Sequence, residues 1–439
     1  MNFSDATDIR LGSSTITALY YGSTLIWPKT PPTPPTPTDW STEYLQVEAL
    51  EPLNLTTNIK EAQQVSSNTT SILYVQYSTD KTNWYAWNEN ISISMNTGDI
   101  VYFKGSYNNY YSPSYDNARY NILVTTTNRF NVKGNIMSLI YGDNFVGQTS
   151  LAGCTSCFRN LFNTQPYVQP YNYCGVVNAD NLILPATTLS QNCYMGMFCN
   201  CTSLITTPIL PATSFMGYEN GQTILTGLNY ESMFENCTSL TAAPALPATT
   251  IGNRCYRRMF KGCASLTTAP ALPATSVKIS CYEEMFMDCT SLTTGPSILP
   301  ATTLKDTSNY TYYENCYYGM FMNCTSLIAA PELPATELAP YCYANMFRNC
   351  TSLINAPELP ATPNVNYHSY CYTNMFNGCS SLNYIKTLSN SWNSDYSEDW
   401  VRDVAVTGTF IKKSSNNMSQ GVGYYDSDEI PLGWTVQNV

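Results

Sequence analysis

The sequence predicts a multi-domain chain. A short N-terminal anchor segment leads to an antiparallel β-sandwich module and then a solenoid, closed by a C-terminal cap. Each solenoid coil of about 26 residues is expected to be a short helix plus a parallel strand. Three observations carry this expectation. The phrase CYRRMFKGCASLTTAPALPAT, Cys255 to Thr275, returns from Cys281, Cys316, Cys342 and Cys371. Ahead of the repeats lie strand-like runs broken by Asn, Asp and Gly. Ahead of those, a Pro/Thr stretch separates a small N-terminal piece from everything else.

Residues 1–28 contain IRLGSSTITALYYGSTLIWP, which alternates as strands do around Gly12-Ser13 and Gly22-Ser23. The piece is too small to hold a core, so it reads as a docking segment that adds strands to a partner's sheet. Its anchoring side chains are expected to be Ile9, Leu11, Ile16, Leu19, Tyr20, Leu25 and Trp27. Residues 29–40, KTPPTPPTPTDW, form a linker that proline holds extended, a semi-rigid arm.

Residues 41–145 read as the β-sandwich module, with turn signals about every 8–12 residues. Trp84 and Trp87 are either a sugar-stacking pair or core, with at least one of them core. Asn135 to Phe145 looks like the seam that hands the sheet on to the repeats.

The solenoid is expected over residues 146–388. Measured on the Met of each "MF", the copies sit at Met197, Met233, Met259, Met285, Met320, Met346 and Met375, in steps of 36, 26, 26, 35, 26 and 29 residues. The longer steps are the same unit with an insert, near Phe215 to Leu228 and near Lys305 to Tyr313, both between the PAT and CY positions. Asn200, Asn236, Gly262, Asp288, Asn323, Asn349 and Gly378 occupy one position of the unit. These residue types tolerate left-handed φ, so this position should end the short helix. Pro244, Pro270, Pro296, Pro331 and Pro357 each remove a backbone donor, so a rung of only about three residues is expected. LPAT occurs seven times without a following Gly and reads as a by-product of the repeat, as does Asn-Cys-Thr. Residues 389–439 should cover the last coil's apolar face.

Twelve of the seventeen cysteines form pairs eight residues apart, such as Cys255/Cys263. On a helix that spacing is roughly 12 Å, too far for a disulfide within a pair. They read as small buried hydrophobes kept reduced, with bridges between neighbouring coils left open after release into an oxidising medium. The lone Cys154-x-x-Cys157 with a single histidine, His368, gives no expectation of zinc or any other metal, and no cofactor is expected.

Charged residues make up 12% of the chain and the net charge is −11, without a basic cluster, so nucleic acid is not an expected partner. No apolar run approaches a membrane span, and MNFSDATDIRLG lacks the pattern of a secretory signal. No catalytic residue is identified. Glu283-Glu284 and Asp426/Asp428 are paired acids outside any motif, read as solvated, and the protein is not expected to be an enzyme. The 35 tyrosines split into two groups. Tyr256, Tyr282, Tyr343 and Tyr372 belong to the core stripe, and the insert tyrosines Tyr218, Tyr310, Tyr312 and Tyr313 are candidates for ligand contact.

FKGCASLTTAPALP at Phe260 and FRNCTSLINAPELP at Phe347 resemble the bacterial leucine-rich repeats of the BspA type, whose units read AF-x-x-C-T-S-L-x-x-I-x-I-P. The resemblance covers about half the chain and departs from the family in the extra Pro per rung and the longer unit. It implies a leucine-rich-repeat solenoid and, since that family's members are mostly surface adhesins, binding without a fixed ligand. IRLGSSTITALYYGSTLIWP with its Pro-rich linker, the GDNF transition and the GWTV ending also resemble head- and tail-fibre proteins of phages of gut Bacteroides-type bacteria, the crAss-like group.

That second resemblance implies a virion structural protein, made in the host cytoplasm and released by lysis onto the virion surface. Residues 1–28 would hold it to other virion proteins. The repeat blade would bind a host surface glycan or protein, as a receptor-binding fibre or decoration on head or tail. A bacterial surface adhesin unattached to a virion is the other reading. Fibre proteins are often homo-trimers, yet no coiled-coil heptad is visible here to enforce one.

Overall fold

The computed structural model describes residues 9–11, 14–16, 19–21, 24–27, 39–59, 73–107, 123–124, 126–163, 174–219, 222–225, 227–306, 311–312, 314–359, 370–390, 392, 397–421 and 429–439. The chain divides into two compact units, Met1–Asp39 and Trp40–Val439.

The first unit holds β1 (Ile9–Leu11), β2 (Ser14–Ile16), β3 (Leu19–Tyr21) and β4 (Thr24–Trp27). β1 pairs antiparallel with β2, Leu11 opposite Ser14, and β3 with β4, Tyr21 opposite Thr24. In the sequence the Gly-Ser dipeptides fall between the strands of each pair, where two-residue hairpin loops favour such residues. All seven anchor residues named above lie on these strands; of the linker, residues 29–40, only 39 and 40 are among the described residues.

The second unit opens with β5 (Leu45–Ala49), β6 (Leu53–Leu55), β7 (Leu73–Ser78), β8 (Tyr85–Trp87), β9 (Ile93–Met95), β10 (Ile100–Tyr107) and β11 (Phe130–Asn135). A single turn of helix, α1 (Ser138–Tyr141), and a short strand, β12 (Leu182–Ile183), follow. Where two packed sheets were expected, the described strands form one six-stranded sheet, β12-β11-β5-β10-β7-β8, and a two-stranded ribbon, β6-β9. All neighbours in the large sheet are antiparallel except β11 and β12. That parallel pair, with the bridge Phe130↔Val176, makes β11 the first rung of the repeats, so the sheet continues past residue 145. Ser138 at the seam accepts from the Leu45 N–H and donates to the Phe103 carbonyl, tying α1 to two strands.

The remainder is a stack of coils, a repeat fold, and one apolar core runs from Leu45 to Trp434. The coils contain no helix in their CY-to-C leg, contrary to the expected short helix. Take Ser280 to Cys289. The amides of Cys281, Glu283, Met285, Met287 and Cys289 each donate to the carbonyl three residues back. Those of Ser280, Tyr282, Glu284, Phe286 and Asp288 donate to the next coil, at Glu314, Cys316, Tyr318, Met320 and Met322. Ser280, Glu284 and Asp288 take positive φ, and every coil repeats this at four-residue spacing, as in Asn315, Gly319 and Asn323.

The leg is therefore a flat ribbon of overlapping turns with a period of four. An α-helix would rotate i+8 by about 80° from i. The ribbon keeps Cys, Met and Cys at i, i+4 and i+8 in line, with Tyr and Phe beside them, and all are buried. The Asn/Gly/Asp position has the expected left-handed φ, but it is one of three such positions in the leg and ends no helix.

The opposite leg is also leaner than expected. Coils with the central Pro make single parallel bridges, Thr268↔Thr294, Thr294↔Ala329 and Ile298↔Glu332, and no three-residue rung. The last coil, NYIKTL, has no Pro there, and it alone forms a four-residue strand, β17 (Tyr384–Thr387). β17 pairs parallel with β18 (Thr409–Lys412), and β18 with β19 (Thr435–Asn438). The inserts are antiparallel hairpins: β13 (Met216–Glu219) with β14 (Gln222–Leu225), and β15 (Lys305–Asp306) with β16 (Thr311–Tyr312).

Inside the stack two aromatic columns run from coil to coil. Phe162, Phe198, Phe234, Phe260, Phe286, Phe321, Phe347 and Phe376 stack at 5.3–5.7 Å. Beside them stack the seven tyrosines from Tyr194 to Tyr372, starting on Phe158. Trp392 lies flat on Tyr372 at 5.3 Å and Trp400 covers Phe376, closing one end of each column. All seventeen cysteines are buried free thiols. The cysteine that ends each turn-ribbon leg donates to the Phe carbonyl of the preceding coil, for example Cys289 to Phe260 at 3.1 Å and Cys324 to Phe286 at 3.0 Å.

Candidate binding surface

Both hairpins leave the stack at the same corner. Phe215 and Leu304 directly precede β13 and β15. Each occupies the same buried position of its coil, held elsewhere by Leu189, Ile251, Val277 and Leu338. Tyr218 lies on β13 opposite Thr223, and Tyr312 on β16 opposite Lys305. Tyr310 and Tyr313 lie outside the described residues. The hairpins belong to different inter-coil steps, so the backbone places Tyr218 and Tyr312 along one edge and not into one pocket.

Along the same corner runs a feature that sequence reasoning passed over. The Thr of every described PAT turn, Thr187, Thr213, Thr249, Thr275, Thr302 and Thr336, is exposed, one per coil. The row is held by amide bonds from Thr249 to the Thr213 carbonyl (2.9 Å) and from Thr336 to that of Thr302 (3.0 Å). Strand-like neighbours repeat at about 5 Å, the spacing that these two bonded pairs imply for their backbones. Its signal was the recurrence of PAT itself, dismissed above as a by-product.

The turn-ribbon face carries the charge. Successive coils place Glu231, Arg257 and Glu283 at one position. Arg257 donates from Nη1 to Glu231 (3.2 Å) and from Nη2 to Glu283 (3.1 Å). Beside them Arg258 and Lys261 both bond Glu284, at 2.8 and 2.7 Å. Glu283 and Glu284 are thus paired and largely buried, not the solvated acids expected. Burial pushes the Glu231 carboxyl above its ordinary range, against the pull of Arg257, Arg254 and Arg258. Burial acts on Glu284 in the same sense, but Lys261 and Arg258 outweigh it and hold that carboxyl low. Small residues at Gly196 and Ser232 leave a dent of about 180 Å³ between these charges, bordered by Glu231, Glu235, Arg257 and Arg258.

In the sheet, Trp87 is core. It is 1% exposed, and its indole N–H donates to the Leu123 carbonyl at 2.8 Å. Trp84 packs edge-on to Tyr44, and the Lys104 ammonium sits 4.3 Å over its ring. With one ring buried and the other already carrying a cation, the two tryptophans do not make a sugar-stacking pair.

Among the described residues no three His, Cys, Asp or Glu gather to hold a metal ion, and no helix is long and apolar enough to cross a membrane. What the surface offers is hydroxyls, amides and paired charges, groups that form hydrogen bonds.

No family model matches the chain, and no curated protein does. Two solved chains match. One is a leucine-rich repeat protein from Bacteroides ovatus, 12% identical, with the similarity covering 62% of this chain and 90% of that one at a TM-score of 0.17.

Proposed function

We propose that the protein is a non-enzymatic attachment protein. In this reading its N-terminal hairpins dock onto a virion, and its repeat stack presents the hairpin corner to a host surface glycan or protein. The carrying observation is that corner: two hairpins leave the stack from equivalent positions, beside the exposed threonines of the described PAT turns. A frame that repeats once per coil suits an extended, repetitive ligand, and hydroxyl and tyrosine groups suit sugar hydroxyls. The anchoring half is supported by the N-terminal unit itself. An isolated two-stranded hairpin is marginal in water, so two of them in a unit of their own call for a partner's sheet.

The inserts provide the test, because their lengths make them removable. Excising Met216–Leu225 takes the 36-residue step to 26, and excising 305–313 takes the 35-residue step to 26. The doubly excised chain is expected to unfold within a few degrees of the full chain and to lose retention on intact host bacteria. Full retention would remove the hairpins from the binding role. Separately, the full chain should co-sediment with purified virions and a chain lacking residues 1–38 should not. Bacterial binding without virion binding would leave a surface adhesin.

A further inference from the structure

The tyrosine column has a property that stacking alone does not explain. The hydroxyls of Tyr194, Tyr230, Tyr256, Tyr282, Tyr317 and Tyr343 are buried, and none finds a hydrogen-bond partner in the protein. The six residues are at most 1% exposed. The Phe column beside them shows that the same stack is built equally well without a hydroxyl. An unpaired buried hydroxyl forfeits its hydration without return, and six in a row would weigh heavily against the stability of the whole domain.

Geometry supplies the missing partner. Successive rings in this run are 5.6–6.0 Å apart and within 1–15° of parallel. Near-parallel copies of one side chain place consecutive hydroxyl oxygens at about the same separation. That is too far for a direct bond and about twice the 2.7–2.8 Å of an O–H···O bond. A group placed midway would be within reach of both, and it must accept from one phenol and donate to the next. Water does both.

We propose that the tyrosine column encloses a single file of bound water, one molecule in each gap between consecutive hydroxyls. Every phenol then donates to the water on one side and accepts from the water on the other. Each water keeps one hydrogen and one lone pair free for further weak bonds. The file is a one-dimensional chain of alternating phenol and water through the core, with a length set by the number of coils. It also accounts for Tyr recurring at this position where Phe would stack as well.

The test is a high-resolution crystal structure of the full chain. A peak within hydrogen-bonding distance of both flanking hydroxyls is expected in each of the five gaps between the six hydroxyls. In Tyr282→Phe the ring should remain stacked while the two peaks flanking position 282 are lost and the others persist. Empty gaps in the wild-type map overturn the proposal, whether or not the variant folds. So do flanking peaks that persist unchanged in Tyr282→Phe, because they would then owe nothing to the hydroxyl.

Discussion

Gly262 stands at φ +73°, and a Cβ there would meet the Asn236 Oδ1 at 2.3 Å. Its equivalents elsewhere form a side-chain ladder: Asn236 donates to Asn200, Asn323 to Asp288, and Asn349 to Asn323. Two constraints therefore fall on one position, a left-handed backbone and a neighbour's amide. Gly262→Ala is expected to cost about 1–2 kcal/mol from the backbone alone, read as a lowered midpoint in chemical denaturation. Gly262→Asn should cost less than Ala, since Asn tolerates that φ and can join the ladder as Asn323 does above Asp288. An Asn variant no more stable than Ala would show that the ladder is incidental. This position was legible in the sequence because only Asn, Asp and Gly occupy it. The other two left-handed positions were hidden, since Arg254, Arg258, Glu284 and Leu228 hold positive φ against their own preference. There the inter-coil hydrogen bonds override local propensity.

At the scale of the element, the turn ribbon was misread as a helix for a reason that lies in the residues. Cys255, Tyr256, Met259, Phe260 and Cys263 fit the i, i+4 spacing of a helical stripe. What tells against a helix is that the spacing is four without drift, with Asn-x-x-x-Gly-x-x-x-Asn at 192–200 and again at 315–323. The charged network was legible only by aligning coils, which sets Glu231, Arg257 and Glu283 one above another. Arg257 holds two acids at once, and its loss strands Glu231 buried without its partner. Arg257→Met is expected to destabilise on the order of 3 kcal/mol near pH 8. The sign with pH follows from Glu231, whose folded carboxyl sits above its unfolded value. Such a group favours the fold below the unfolded value and loses that contribution as pH rises through the folded one. Removing Arg257 moves the folded value higher still. The deficit of Arg257→Met should therefore shrink as pH falls from 8 toward 5, seen in thermal unfolding at each pH. A deficit independent of pH would assign the effect to lost packing.

For the whole molecule, the aromatic columns and the charged network make opposite statements about how interchangeable the coils are. Phe and Tyr columns are the same in each coil, so removing one 26-residue unit lets the next take its place, as nearest-neighbour stability in repeat proteins allows. Deleting Cys316–Tyr341 brings Tyr343 onto Tyr282, Phe347 onto Phe286 and Asn349 onto Asp288, and it sets Ala344 beside Glu283. Every column is restored and no charge is stranded. Deleting Cys255–Ser280 restores the same aromatic columns but removes Arg257, Arg258 and Lys261 together. Glu283 is then set against Glu231, two acids in adjacent coils, and Glu284 loses both of its cations. The first deletion is expected to give a chain with one cooperative thermal transition a few degrees from that of the full protein. The second should fold poorly or unfold tens of degrees lower at neutral pH, with recovery toward pH 4 as the facing carboxyls protonate. Equal stability of the two deletions would mean that the columns alone hold the stack and that the charged face is free to serve a ligand.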